Sequence, residues 1–307
     1  MVAKNQQIAV IGAGLMGHGI ALTFARAGQY VRITDPQQES LMSAPQRISE
    51  SLRLLGASET EIASALKKIE LCSSLADAVC EAKFIVEAAP EKLELKRKIF
   101  AEIEEFAPED ALLASNTSVI QITKIMSDLR LKHRALGTHW WNPAHMIPLV
   151  EVIKTEWTDD AAAQSMFDLL SDAGKTPVMV EKDVPGFIGN RLQHALWREA
   201  VSLVENRICD AQAVDTVIKS SFGRRLAVLG PLENADLVGT DLTLDIHENV
   251  LHDIDARQAP SPYLASLVAE GRLGMKTGAG FRTWTTQEAD AVRKRVANHL
   301  KKLETIL

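Results

Sequence analysis

The chain has 307 residues, enough for about two domains with sizeable hydrophobic cores. Its 34 basic and 40 acidic side chains leave a net charge of −6, which argues against a general attraction to nucleic acid or anionic lipid and favours small-molecule chemistry. Cys72, Cys80 and Cys209 lack CxxC spacing, which excludes a disulfide framework and a zinc-cysteine site and fits unpaired, mostly buried thiols in a reducing, cytoplasmic setting.

The run from Ile8 to Ala25 is largely apolar and ends in Ala25-Arg26-Ala27, which imitates a secretory cleavage site. Gly12, Gly14, Gly17, Gly19 and His18 inside it oppose an uninterrupted hydrophobic helix. It reads as a buried strand, a glycine turn and a helix over 15–27. Further strands are expected at 30–35, 69–72, 83–87, 110–114, 134–138, 148–153 and 176–180, the first at 6–11. Helices at 38–55, 59–67, 91–106 and 159–173 alternate with them, the pattern of an α/β domain whose mostly parallel, doubly wound sheet is covered on both faces. Asp183 is placed to cap a helix near Pro185, and a long helix is expected over 187–206. Helices at 210–221, 231–256, 260–271 and 286–305 follow without a convincing strand. The chain therefore divides into an α/β domain, 1–184, and an all-helical C-terminal domain, 185–307.

Gly12-Ala13-Gly14-Leu15-Met16-Gly17 fits G-x-G-x-x-G, follows a strand and opens a helix, the context of a Rossmann-type dinucleotide site. The helix N-terminus supplies amides and a positive dipole end for phosphates. Asp35, at the end of the second strand, can accept hydrogen bonds from ribose hydroxyls and would repel a 2′-phosphate, favouring NAD over NADP, although Arg32 lies on the same strand.

Ser118 and His139 both fall just past expected strands, where an open α/β sheet binds its ligands. Oxidising an alcohol with NAD needs a base for the hydroxyl proton, and histidine titrates near neutrality. Glu151, twelve residues on in an apolar strand, is suited to orient the imidazole. Read singly, His139 is equally a structural histidine and Glu151 an edge-strand surface charge. Tyr30 and Tyr263 are followed four residues later by Thr34 and Leu267, which excludes a Tyr-x-x-x-Lys mechanism, and no G-x-S-x-G is present. His247 and His252, five apart, read as part of a solvated face, and no metal site is expected.

Taken together, the glycine turn, Glu87-Ala88-Ala89-Pro90-Glu91 with Lys96, Ser115-Asn116-Thr117-Ser118, His139-Trp140-Trp141-Asn142-Pro143, Pro148 to Ile153, Lys182 to Arg191 and Gly271 to Phe281 resemble the NAD-dependent L-3-hydroxyacyl-CoA dehydrogenase family over nearly the whole chain. The resemblance implies that His139 is the general acid/base, that Glu151 orients it, and that Ser118 and Asn190 hold substrate oxygen atoms. It implies NAD contacts from Asp35, Glu91, Lys96, Ser118, Asn142 and Lys276, beside the loop Gly12, Ala13, Gly14, Leu15, Met16 and Gly17. A homodimer formed by the helical domain is a further implication.

Trp140-Trp141 stands where CoA-using members carry Phe-Phe, and Trp141 is expected to narrow a substrate pocket. Within 38–60 the only bases are Arg47 and Arg53, where CoA-using members tend to have lysines for the CoA phosphates. The stretch Gly223 to Glu233 is similar to the branch containing lambda-crystallin, gulonate 3-dehydrogenase and carnitine dehydrogenase, and the histidine-tryptophan stretch resembles a pyridine-carboxylate dehydrogenase. Those substrates are free acids, and Arg224 or Arg225 is a candidate to meet such a carboxylate, with surface arginines as the plain alternative. The expected function is oxidation of a 3-hydroxyacyl-CoA or small 3-hydroxy acid to the keto product. A free hydroxy acid or pyridine carboxylate, and a non-enzymatic crystallin-like role, are the alternatives.

Overall fold

A computed structural model describes residues 6–303. Two compact units divide the chain: one runs to Arg191 and takes in the segment from His299, and the other spans Leu192–Asn298.

In the first unit the elements run β1 (Gln7–Ile11), α1 (Gly17–Arg26), β2 (Tyr30–Thr34), α2 (Gln38–Leu54), α3 (Glu59–Leu66), β3 (Ile69–Leu71), α4 (Leu75–Val79) and β4 (Phe84–Glu87). They continue with α5 (Leu93–Phe106), β5 (Leu112–Ser115), α6 (Ile122–Ile125), β6 (Ala135–Trp140), β7 (Leu149–Lys154), α7 (Asp160–Asp172) and β8 (Thr176–Val180), and α8 (Gly189–Glu205) leads into the second unit. The strands pair in the order β3-β2-β1-β4-β5-β6-β7-β8, parallel throughout except between β6 and β7.

Every residue of β4, β5 and β6 is buried, as expected of strands covered on both faces. Side chains alternate: Ile8 and Val10 enter one core with Phe24, Ile33 and Val86, and Ala9 and Ile11 enter the other with Ile85, Phe100 and Leu113. The apolar run that imitates a secretory signal is thus β1 and α1, packed at the centre of the sheet. The strand order reverses between β1 and β4, which makes the carboxyl ends of these two strands the crevice where such sheets bind ligands. Because β7 runs against β6, its early residues lie beside the end of β6, and Glu151 falls opposite His139.

Several expectations are corrected. β6 extends to Trp140, so His139 lies inside a strand and not past it; the ladder to β7, with Trp140 opposite Val150, carries the strand on. The short helices α4 and α6 are additional, α4 starting where the Ser74 hydroxyl accepts from the Asp77 amide. Asp183 is not a cap: its carboxylate accepts from the Thr123 amide and hydroxyl at 2.7 and 2.8 Å. The long helix starts at Gly189, because Phe187 adopts a positive φ of 49°. By packing, the two compact units part inside α8, after Arg191, with Gly189 and Asn190 of its first turn hydrogen-bonded to Glu151 and Ser118. Among the cysteines only Cys72 is buried; Cys80 is exposed and Cys209 intermediate.

The second unit adds α9 (Ala211–Ser220), α10 (Pro231–Val238), α11 (Thr240–Val250), α12 (Pro262–Ala269) and the part of α13 (Thr286–Leu303) that precedes His299. Gly239, at φ 102°, splits the single helix expected over 231–256 into α10 and α11. The last two residues of the helix expected over 286–305 lie outside the described residues. Among the described residues no helix is long and apolar enough to cross a membrane.

Gly137 in β6 shows how closely this sheet is covered: a Cβ there would lie 2.7 Å from Ile122 Cδ1 and 3.0 Å from Ile153 Cδ1. Gly137→Ala is expected to lower the unfolding free energy by about 1–3 kcal/mol through overpacking, measured by urea titration. A wild-type midpoint would mean that Ile122 and Ile153 repack freely.

Candidate active site

The glycine turn joins β1 to α1 above the switch point. Gly12 has φ 106°, and a Cβ there would meet the Ala88 carbonyl oxygen at 2.8 Å, so this position needs glycine on both counts. A Cβ on Gly17 would collide with the Gly12 carbonyl, which lets α1 start directly against the turn. Gly14 differs, because nothing lies within 4 Å of the place its Cβ would take. Open space beside a helix N-terminus is what the approach of a pyrophosphate requires, so this loop fits the expected dinucleotide. Leu15 and the half-buried Met16 complete it.

At the end of β2 the Asp35 carboxylate accepts from the amides of Ala13, at 2.7 Å, and Gln37, at 2.8 Å. Arg32 is engaged elsewhere, with Glu70 at 3.0 Å and Glu81 at 2.8 Å. The base on β2 is thus already paired, in keeping with the expected preference for NAD over NADP.

Across the antiparallel ladder, His139 Nδ1 lies 2.6 Å from Glu151 Oε2. A carboxylate can only accept, so Nδ1 carries the proton and Nε2 is left as the nitrogen with a free lone pair. The other oxygen, Glu151 Oε1, accepts from the amides of Ile188 at 2.8 Å and Gly189 at 3.0 Å. His139 is 3% and Glu151 1% exposed. Burial pushes the Glu151 carboxyl up, but the hydrogen bond from His139 and the two amides outweigh it and hold the group below the usual carboxylate range. The imidazole lies between Trp141 and Phe187, with ring centroids 5.3 and 5.5 Å away.

The expected tryptophan pair divides in role. Trp140 is a core residue, edge-on to Phe24 at 5.6 Å. Trp141 leans on Gly189, where a Cβ would collide with its ring. The amide of Trp140 donates to Asn116 Oδ1 at 2.9 Å, which ties the β5 loop to the end of β6.

In that loop, Glu91 Oε1 accepts from the Thr117 hydroxyl at 2.6 Å and from the amides of Ser118 and Val119 at 3.0 and 3.1 Å. Burial raises the Glu91 carboxyl, and the Thr117 hydroxyl with the loop amides and Lys96 brings it below its ordinary range. Asn190, in the first turn of α8, donates to the Ser118 carbonyl at 2.9 Å. Ser118 itself is exposed, as is Asn142. Lys96 is wholly buried, its ammonium 2.7 Å from Glu87 Oε1, 3.2 Å from the Ala89 carbonyl and 3.5 Å from Glu91 Oε2. Lys96 is thus turned into a carboxylate cluster and is itself closed to solvent.

Two models of known domains match the chain: the NAD-binding domain of 3-hydroxyacyl-CoA dehydrogenase over residues 7–184 and the C-terminal domain of 3-hydroxyacyl-CoA dehydrogenase over residues 186–284. The chain belongs to the 3-hydroxyacyl-CoA dehydrogenase family. It is 33% identical over 303 residues, 98% of either chain, to 5-formyl-3-hydroxy-2-methylpyridine 4-carboxylate 5-dehydrogenase of Mesorhizobium japonicum. Over 288 residues, 90% of either chain, it is 37% identical to the mitochondrial hydroxyacyl-coenzyme A dehydrogenase of Homo sapiens. A crystal structure of the pyridine-carboxylate enzyme, described as an NAD+-dependent dismutase, superposes with a TM-score of 0.91 at 31% identity, covering 98% of each chain. The (S)-3-hydroxybutyryl-CoA dehydrogenase of Ralstonia eutropha gives 0.77 at 32% identity, over 92% of this chain and 100% of that one.

As a member of this family the protein is an NAD-dependent dehydrogenase acting on hydroxyl groups. In the first unit His139 contacts Glu151 and Trp141, Asn190 contacts Ser118, and Gly189, which donates to Glu151 and precedes Asn190, joins the two groups. Lys276 and Arg224 lie on 3₁₀ turns of the second unit, Met275–Thr277 and Phe222–Arg224, and Arg225 directly follows the latter; both arginines are exposed. Two participants were missed by sequence reasoning. Phe187 covers His139, and the only signal for it was the Pro185-Gly186 break before it. Arg47, counted only as a scarce base, reaches the glycine turn.

Lys96→Met would leave Glu87 buried without a counter-charge, with the Ser115 hydroxyl at 2.6 Å as its remaining side-chain donor. A loss of about 3–5 kcal/mol of unfolding free energy is expected in urea. A loss below ~1 kcal/mol would mean that the Glu87 carboxyl protonates at little cost.

Proposed function

We propose that the protein oxidises a secondary alcohol of a small free hydroxy acid, with His139 as general base and Glu151 as the residue that orients it. The observation that carries the catalytic reading is the 2.6 Å contact between His139 Nδ1 and a carboxylate already held by two amides. NAD, when bound, accepts the hydride that leaves the carbinol carbon. His139 Nε2 takes the hydroxyl proton as the carbonyl forms, and Glu151 stabilises the resulting imidazolium; ketone reduction runs through the same groups in reverse. Ser118 and Asn190 hold the substrate oxygens, and Trp141 bounds the space beside the imidazole.

The choice of a free acid over a CoA thioester is supported by the bases between residues 38 and 60. Arg47 is hydrogen-bonded to the glycine turn, and Arg53 is paired with Glu59 at 2.8 and 3.0 Å, so neither stands free for CoA phosphates. The pyridine-carboxylate relative, matched over nearly the full length of both chains, points the same way. A second copy of the chain is the proposed partner, because Leu232, Leu237 and Leu244 on α10 and α11 are 80, 73 and 60% exposed and neither helix buries a residue. The three free cysteines favour a cytoplasmic location.

His139→Ala is expected to lower kcat by roughly 10²–10⁴-fold, the usual contribution of a positioned acid/base, with NADH affinity near wild type. Glu151→Gln should lower kcat by a smaller factor. Retained turnover at neutral pH in His139→Ala would refute the assignment, and faster turnover in Glu151→Gln would remove Glu151 from its supporting role. NADH formation on a panel of 3-hydroxybutyryl-CoA, 3-hydroxybutyrate, gulonate and carnitine, with a hydroxymethyl-pyridine carboxylate as the primary-alcohol comparison, should favour a free acid bearing a secondary alcohol. Activity confined to the thioester would overturn that half of the reading.

A further inference from the structure

Arg47 lies midway along α2, and its guanidinium does not meet a carboxylate. One terminal nitrogen donates to the Ala13 carbonyl at 2.6 Å and to the Ser40 carbonyl at 2.7 Å, and the other donates to the Gly14 carbonyl at 3.2 Å. The Gly14 carbonyl also accepts from His18 Nδ1 at 2.9 Å, so two side chains converge on one peptide of the turn. Among the described residues no acidic group forms an ion pair with Arg47.

A trans peptide is planar, with its carbonyl and amide pointing in opposite directions. Holding the carbonyls of Ala13 and Gly14 toward α2 therefore turns the amides of Gly14 and Leu15 to the opposite side. On that side the Cβ position of Gly14 is open and Leu15 is 66% exposed. A guanidinium is suited to this task because its planar fork can serve several acceptors at once, which a lysine ammonium does with poorer geometry. Its charge is also uncompensated and lies directly behind amides at a helix N-terminus, where it adds to the helix dipole acting on an anion.

We propose that Arg47 is a positioning residue for the dinucleotide pyrophosphate: by holding the carbonyls of Ala13 and Gly14 it aims the amides of Gly14 and Leu15 at the phosphates and reinforces the positive potential there. This rests on the reading that the turn from Gly12 to Gly17 holds the pyrophosphate of NAD.

The experiment measures dissociation constants of the full-length protein for NADH, ADP-ribose and adenosine, with steady-state kinetics in NAD. Arg47→Ala should weaken NADH and ADP-ribose by about tenfold or more, the loss of a charge-assisted hydrogen bond, and leave adenosine unchanged. KM for NAD should rise far more than kcat falls, and Arg47→Lys should recover part of the affinity. Unchanged NADH affinity in Arg47→Ala would overturn the proposal, as would an equal loss for adenosine, which marks general damage to the fold. Should Arg47→Ala fail to fold, Arg47→Lys and Arg47→Gln decide the matter by the same ratio of ADP-ribose to adenosine affinity. Gly14→Val tests the loop by itself: wild-type NADH binding there would overturn the loop reading and this proposal with it. Loss of NADH binding in Gly14→Val with none in Arg47→Ala would overturn the role of Arg47 alone.

Discussion

A carboxylate buried as deeply as Glu151 must be met by donors on both oxygens, or it takes up a proton and loses its charge. One oxygen is met by His139 across the β6–β7 ladder and the other by the amides at the start of α8. These bonds constrain three separate pieces of chain. Strand β7 must run against β6 to bring residues twelve apart face to face, β6 must continue to Trp140, and the chain must turn sharply at Phe187 so that Ile188 and Gly189 present their amides. The positive φ of Phe187 is costly for a bulky residue, and the amides donated to Glu151 together with the burial of the phenyl ring against His139 offset that cost. The His139–Glu151 pair and the start of α8 are one hydrogen-bonded unit.

A second buried charge organises the other side of the site. Glu87 and Lys96 neutralise each other without solvent, and Ser115 takes the remaining carboxylate oxygen. Glu87 ends β4 and Ser115 ends β5, opposite each other in the ladder, so the cluster fixes the carboxyl edge of the sheet next to the switch point. From there Glu91 gathers the amides of Ser118 and Val119 and shapes the loop that Asn190 holds from α8. Removing either partner of the ion pair would act on the loop as well as on stability, because Lys96 also stands 3.5 Å from Glu91.

The sheet was legible because a strand buried on both faces is a short apolar run, and the eight runs stand out between helical segments. The glycine turn was legible because each glycine answers a different steric demand, and only the open space at Gly14 needed coordinates. What stayed hidden depends on partners far apart in sequence. Nothing local distinguishes Lys96 as a buried ion-pair member from a surface lysine contacting a ligand. Asp183 reads as a cap until Thr123, sixty residues away, is found to donate to it. The adjacent tryptophans looked alike in sequence, yet strand alternation sends Trp140 into the core against Phe24, while Trp141, the first residue after the strand, is left beside His139. Arg47 was counted as a base and not recognised as a donor to carbonyls 33 and 34 residues earlier.

The placement of positive charge links the cofactor to the substrate. With Arg32 paired to Glu70 and Glu81, Arg53 to Glu59, and Arg47 held by three carbonyls, the bases of β2 and α2 are committed within the fold. Among the described residues Arg47 is the one of these bases without a carboxylate partner, and it sits behind the glycine turn. On the proposed reading of the turn, positive charge is placed where a pyrophosphate would be held, while Arg53, farther along α2, is paired with Glu59 and gives a second nucleotide such as that of CoA no free cation. In a chain of net charge −6 such cations would have to be supplied locally to outweigh the general repulsion of a phosphorylated substrate. One anionic cofactor and a small substrate acid ask less of this surface than two nucleotides would.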